Sequence, residues 1–336
     1  MLAGVKKRVI IVIVTVALSI FTFTEQTEAS SSKYFSIVHQ AKKTYKAKRY
    51  DYTKYIQNYH PQGDYLKFSQ KIYQMERITF DEQGVPMVFY YNKYEYNPVT
   101  TAQMALTEHG KYVTTKSEES YRKFIQLADA LFAAQGKDGA LRYNFAYETK
   151  HLRTKYSPGW VSAMAQGQAL SVYSRAYYLT KDEKYLNAGK AAFKFLMIPK
   201  SRGGVLTNLR TLGKQYKPYF FFEEYVTKTD NYTLNGFMFT LLGIYDWSKI
   251  SAVNDYGQKE AGRMFKEGLK SLLVVLPMYD IGGFTTYDLS HITMKQQPHV
   301  VAGYHSIHIY QLHALYTITK EPKLRYYAQK WASYVK

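Results

Sequence analysis

Four stretches of the chain carry no charged residue: Tyr96–Thr107, Gly159–Ser174, Asn231–Tyr245 and Gln296–Thr319. Each is followed, after a short connector, by a charged segment with helical periodicity: Ser117–Gln135, Asp182–Met197, Gly257–Val275 and Glu321–Tyr334. In the first of these, Phe124, Leu127, Ala128 and Leu131 fall at i, i+3, i+4 and i+7, one apolar stripe on an otherwise polar helix. Ser117-Glu118-Glu119 and Asp182-Glu183 place acids in the first turn, where the helix dipole favours them. A helix that is neutral all round is covered on all sides. The alternation therefore predicts an all-α fold, an incomplete α/α toroid of about four helix pairs with neutral helices inside and amphipathic ones outside. A membrane bundle is disfavoured, because every neutral segment carries Gln, Asn or His and the charged partners do not suit lipid.

The links between pairs are long, at 136–157, 198–230 and 276–295, and antiparallel pairing puts all three on one face. Long loops in a compact domain are usually functional. These are rich in Tyr, Phe, Arg and acids, so a funnel mouth built from them is the expected site. Within the inner ring, Gln166 and Gln168 are expected to bond to neighbours or line the funnel. Ahead of the toroid, Lys33–Gln57 reads as helical, and KIYQMERITF and VPMVFYYN around Asp81-Glu82-Gln83-Gly84 read as a β-hairpin. At the extreme N-terminus, Lys6, Lys7 and Arg8 precede an apolar run from Val9 to Phe23 and small residues near Ala29, the pattern of a cleaved export signal. The expected organisation is a signal peptide over 1–29, a helix and hairpin segment over 30–95 packed on the toroid, and the α/α toroid over 96–336. A secreted or cell-envelope location follows, with no membrane attachment after cleavage.

Composition narrows the chemistry. Of 336 residues none is cysteine, which excludes thiol nucleophiles and cysteine metal sites. The formal charge is +19, carried by lysines scattered along the chain. Such a charge suits an acidic polysaccharide, an anionic envelope polymer or nucleic acid. Nucleic acid is set aside because no basic helix or aromatic RNA motif appears. There is no Gly-rich phosphate loop, no HExxH and no GxSxG. His305 and His308 lie one helical turn apart without an evident third ligand, so no metal is expected. The 35 tyrosines are the remaining anomaly. They concentrate interest on Glu223-Glu224-Tyr225, Tyr287-Asp288 and Tyr304-His305, three pieces of the expected mouth.

The strings PGWVSAMAQGQALSVYSRAYYLT, FEEYVT with LNGFMFTLLGIYDW, LPMYDIGGFTTYDLSHI and GYHSIHIYQLHALYTIT resemble the C-terminal catalytic domain of D-glucuronyl C5-epimerases. With GVPMVFYYNKYEYNPVTTAQMALTEHG the similarity covers roughly Gly84 to Val335. The resemblance implies an α/α-toroid catalytic domain that inverts C5 of uronic acid residues in an acidic polysaccharide, glucuronate to iduronate, without a cofactor. It implies a catalytic set of Glu224, Tyr225, Tyr287 and Tyr304. Candidate substrate-binding residues are Tyr96, Gln166, Asn235, His305, Arg142, Arg153 and Arg210. Two positions depart from the family: Ser290 stands where the family has arginine, and Ala302-Gly303 where it has Trp-Asp. Arg142, Arg153 and Arg210 of the long loops are the candidates to replace the missing one, the alternative being that they only stiffen the rim. A polyuronate lyase, which shares the first proton abstraction, and a non-catalytic acidic-polysaccharide-binding protein are the alternatives. Monomer and homodimer both remain open.

Overall fold

The computed structural model describes residues 33–71 and 73–336, so the expected export signal lies outside the described residues. Helix α1 (Phe35–Ala47) precedes a three-stranded antiparallel sheet of β1 (Ile78–Phe80), β2 (Pro86–Tyr90) and β3 (Lys93–Tyr96). The β1–β2 turn is the one expected, with Gly84 at φ +70° and Asp81 Oδ1 accepting from the backbone N–H of Gln83 and Val85 at 2.9 and 2.8 Å. The third strand was not expected. It pairs through a second turn at Tyr91, whose φ of +55° carries no Gly-type sequence signal.

Four helix pairs follow: α2 (Pro98–Thr115) with α3 (Glu118–Ala134), α4 (Ala163–Thr180) with α5 (Glu183–Leu196), α6 (Leu234–Ser248) with α7 (Gln258–Val275), and, after the single turn α8 (Ser290–Thr293), α9 (Ala302–Thr319) with α10 (Pro322–Ser333). The first member of each pair is the neutral segment. These four pack side by side in the order α2, α4, α6, α9, and each carries its amphipathic partner. The 3₁₀ segment Tyr65–Gln70 touches both α2 and α9, so the N-terminal segment fills the gap between first and last inner helices. The fold is mostly α, with contacts in the order an incomplete α/α toroid requires.

Inner and outer helices differ as the pattern says they must. From Ala163 to Ala176 every residue of α4 is buried. The small residues set the spacing: a Cβ on Gly243 of α6 would stand 1.8 Å from the carbonyl oxygen of Gly167 on α4. Substituting either glycine forces the two helices apart. Three of the four pair corners repeat one device, Thr-Lys followed by Ser, Asp or Glu. Lys116, Lys181 and Lys320 sit in the left-handed region at φ 58–60°, at a cost of roughly 1–2 kcal/mol each. The preceding Thr115, Thr180 and Thr319 accept from the N–H of Ser117, Asp182 and Glu321 at 3.3, 3.1 and 3.3 Å. Those three residues then cap the outer helix.

The long links carry short antiparallel pairs: β4 (Arg142–Tyr143) with β7 (Trp160–Val161), β5 (Tyr147–Thr149) with β6 (Thr154–Tyr156), and β8 (Leu206–Asn208) with β9 (Phe220–Phe222). They bring the loops over the N-terminal ends of the inner helices. Among the described residues no helix is long and apolar enough to cross a membrane.

Candidate active site

Glu224 follows β9, whose Phe221 stacks on Phe237 of α6 at 4.0 Å. The neighbouring backbone spans two inner helices: Ala163 N–H, at the start of α4, donates to Glu223 O at 3.0 Å. The Glu224 carboxylate lies directly on the first turn of α6. A Cβ at Gly236 would come within 2.3 Å of Glu224 Oε2, so only glycine leaves room for it. Asn235 Nδ2 donates to the same oxygen at 3.4 Å. The segment Tyr287–Leu289 crosses the start of α6, tied by Leu234 N–H to Tyr287 O at 3.1 Å and by Leu289 N–H to Asn231 O at 2.7 Å. Tyr287 N–H donates to His299 O at 2.7 Å, joining this segment to the run into α9. In consequence the Tyr287 hydroxyl donates to Glu224 Oε1 at 3.1 Å, and the Tyr287 ring meets that of Tyr304, in the first turn of α9, edge-on at 4.7 Å. Glu224, Tyr287 and Tyr304 thus form one contiguous group, with Tyr225 beside it.

Burial pushes the Glu224 carboxyl up to about 7, and Asp288 adds to the rise. The hydroxyls of Tyr287 and Tyr225 and the amide of Asn235 pull it only part of the way back. The phenols of Tyr287 and Tyr225 are held well above their usual range, first by burial and then by the Glu224 carboxylate. Tyr304 is raised for the same two reasons. Glu224 is therefore the one member of the group poised near neutral pH, and the phenols keep their protons. The helices α4, α6 and α9 all begin here, so their partially positive N-terminal ends face the group and favour developing negative charge.

Tyr304 forms part of the wall of an open cleft of about 1200 Å³. The opposite material comes from the N-terminal segment, including Tyr55 and the cations Arg49, Lys54 and Lys71. Lys71 bonds Gln103 and lies over the rings of Phe68 and Tyr73 at 4.6 and 4.9 Å. Burial pushes its ammonium down to about 7. Gly303 is the position that admits Tyr50: a Cβ there would meet the Tyr50 ring at 3.1 Å. Beside Tyr225 stands an aromatic cluster in which Trp160 stacks on Tyr143 at 3.8 Å and on Tyr147 at 5.6 Å. Flat, polar-tipped surfaces of this kind suit sugar rings.

Several expected substrate contacts lie elsewhere. Gln166 is fully buried and exchanges bonds with the backbone N–H and C=O of Leu141 at 3.0 and 2.9 Å, so its amide holds the loop. Asn235 is also fully buried and positions Glu224 rather than facing the cleft. His305 is enclosed between Thr285 Oγ1 and Trp331 O at 2.9 and 3.0 Å and stacks on Phe284; burial pushes its imidazole down to about 4. Arg142 is spent on Asp138, both of whose oxygens it reaches. Tyr96 donates to Asp81 in the hairpin turn at 2.7 Å. Arg153 and Arg210 are exposed, and neither has a side-chain bond to the tyrosine group among the described residues. Arg153 lines a separate cavity with His151 and His299. The cleft cations of residues 49–71 and the Trp160 platform were missed. Their loops show no periodicity, although the Lys and Tyr density of Lys33–Gln57 was a partial signal.

The family model described as "D-glucuronyl C5-epimerase C-terminus" matches residues 135–333. The D-glucuronyl C5-epimerase of Caenorhabditis elegans is 32% identical over 230 residues, covering 66% of this chain and 36% of the worm enzyme. The chain thus spans little more than a third of that relative's length. An uncharacterized protein of Methanocaldococcus jannaschii is 30% identical over 278 residues, covering 76% of this chain and 84% of the archaeal one.

Proposed function

Since the chain belongs to the D-glucuronyl C5-epimerase C-terminal family, we propose that it inverts C5 of uronic acid residues, glucuronate to iduronate in type, within an acidic polysaccharide. One observation carries this reading above all. A buried carboxyl poised near pH 7, without a cation partner among the described residues, is hydrogen-bonded to one phenol and lies near a second that lines a cationic cleft. A carboxyl without a cation, in contact with a phenol beside a cleft, suits proton transfer.

The chemistry follows from the protonation states. The hydrogen at C5 of a uronate is acidified by the adjacent carboxylate, and its removal leaves enolate-like charge. In our reading ionised Glu224 takes that proton on one face of the sugar, and the protonated phenol of Tyr304 delivers another to the opposite face. Tyr287, lying between them, passes the proton from Glu224 to the Tyr304 phenolate and closes the cycle with no net change. Run backwards, the relay first moves a proton from Tyr304 to Glu224, and the phenolate becomes the base. Tyr225 supports the Glu224 side. The N-termini of α4, α6 and α9 and the cations Arg49, Lys54 and Lys71 hold the substrate carboxylate and the transient charge. The basic chain and an extracytoplasmic site of action, which residues 1–29 suggest, fit a polymeric acidic glycan.

Solvent exchange tests the proposal. Polyuronates incubated with the protein in deuterated water should gain label at C5, without the ultraviolet absorbance of an unsaturated product. Tyr304→Phe should remove the labelling. Absorbance growth would mark a lyase, and binding without label a non-catalytic glycan-binding protein.

A further inference from the structure

Beside Tyr287, whose ring lies 5.1 Å from that of His299 and 6.4 Å from that of His151, three chain segments meet at one carboxylate. Asp288 has no exposed side-chain surface. Its Oδ1 accepts from both the N–H and the hydroxyl of Ser290, at 2.9 and 2.5 Å. Its Oδ2 is left to two imidazoles: His151 Nε2 at 3.2 Å and His299 Nδ1 at 3.3 Å. All three atoms lie within 4.8 Å of one another, and the imidazole rings face each other at 3.8 Å. His151 Nε2 is buried and, despite its closeness to Asp288, has no partner in hydrogen-bonding geometry among the described residues. His151 and His299 both line a solvent-open cavity of about 830 Å³ with Arg153 and Lys295.

We propose that His151, His299 and Asp288 form a binding site for a divalent transition-metal ion of the zinc class. A tetrahedral ion with bonds of about 2.0–2.1 Å separates its ligand atoms by about 3.3–3.4 Å, close to the 3.2 and 3.3 Å between Asp288 Oδ2 and the two ring nitrogens. Two imidazoles and one carboxylate are a donor set such ions favour, and the cavity gives solvent or an anionic group access to a fourth position. The two bonds from Ser290 act on the ligand itself, turning the free oxygen of Asp288 toward the histidines. His151 lies in the β5–β6 turn, Asp288 in the segment that crosses α6, and His299 in the approach to α9. An ion there staples three loops of the rim and fixes the backbone that carries Tyr287.

The test uses untagged, chelator-treated protein and the metal alone. Calorimetric titration with Zn²⁺ should give one site per chain, and Co²⁺ should give the visible absorption of a low-coordinate nitrogen–oxygen site. His151→Gln and His299→Gln, both at partly exposed positions, should each weaken Zn²⁺ binding more than about ten-fold and abolish the Co²⁺ bands. Their melting temperatures without metal should match the wild type. Ser290→Ala should weaken binding less, and His39→Gln, on α1, should leave it unchanged. Absence of binding by the wild type, or binding indifferent to both ligand substitutions, would overturn the proposal and leave the three residues a hydrogen-bonded rim contact. Because the readout contains no glycan, it stands or falls independently of the epimerase reading.

Discussion

Helix α6 carries a buried carboxylate group against each end, and the two are treated oppositely. Near its C-terminus Asp246 meets Arg175 of α4 at 2.6 Å, and both side chains have no exposed surface. Tyr59 donates to the same aspartate oxygen at 2.7 Å. The Arg175 guanidinium also bonds Ser171 O and the carbonyls of Gly63 and His60, and lies over the Tyr65 ring at 5.2 Å. This knot ties two inner helices to the N-terminal segment. At Asn235, eleven residues and about 16 Å back along the axis, Glu224 rests on the first turn, its side-chain partners among the described residues being hydroxyls and an amide. One carboxylate has its charge balanced, and the other sits beside Tyr287 without a cation partner among the described residues. The difference separates structure from chemistry: a balanced buried charge stiffens the bundle, and an unbalanced one is available to a proton.

Breaking each cluster should have opposite consequences. Glu224→Gln should lower C5 exchange by about 10²–10⁴-fold, the usual contribution of a general base, with the fold intact by circular dichroism. Arg175→Met strands the Asp246 charge and should cost about 3–5 kcal/mol of stability, read by urea unfolding, with exchange per folded molecule nearly unchanged. Equal loss of exchange in both variants would erase the distinction.

A smaller effect concerns pH. The folded Glu224 carboxyl titrates at about 7, against roughly 4.3 when unfolded. Between those values the folded chain holds a proton that the unfolded chain releases, so stability falls as pH rises through this window. The penalty above pH 7 is on the order of 2–4 kcal/mol. Glu224→Gln, neutral at every pH, should therefore be more stable than wild type near pH 8 and indistinguishable near pH 4, as thermal melts would show. The smallest effect should come from Asn235→Ala. Losing its long 3.4 Å bond should raise the Glu224 midpoint by less than about one unit, or roughly 1 kcal/mol, visible as an alkaline displacement of the acid limb of the exchange rate.

The sequence made the helices legible for the same reason that it obscured the Arg175 knot. Charge-free runs mark burial, and the inner helices lie where those runs predict. Yet two of the runs stop one residue short of Arg175 and Asp246. A charge there reads as a helix edge, because nothing local announces that its partner is 71 positions away. The group of Glu224, Tyr287 and Tyr304 came from family strings and from loops expected on one face. Of the alternatives open for Gln166 and His305, bonding to neighbours is the one seen, because a polar residue on an inner helix can be satisfied by a backbone carbonyl as readily as by a ligand. The His151–Asp288–His299 cluster was illegible outright: its members have no motif spacing and meet only after three loops fold over α6. The Thr-Lys corners went unread in the sequence, because only the left-handed lysines show what the dipeptide does there.

The most direct test of the account is the titration of the Glu224 carboxyl, followed by ¹³C NMR of side-chain-labelled protein with Glu224→Gln to assign the resonance. A midpoint near pH 7 that coincides with the acid limb of C5 exchange is the predicted result. A midpoint in the ordinary range of about 4, with exchange insensitive to pH around 7, would contradict it.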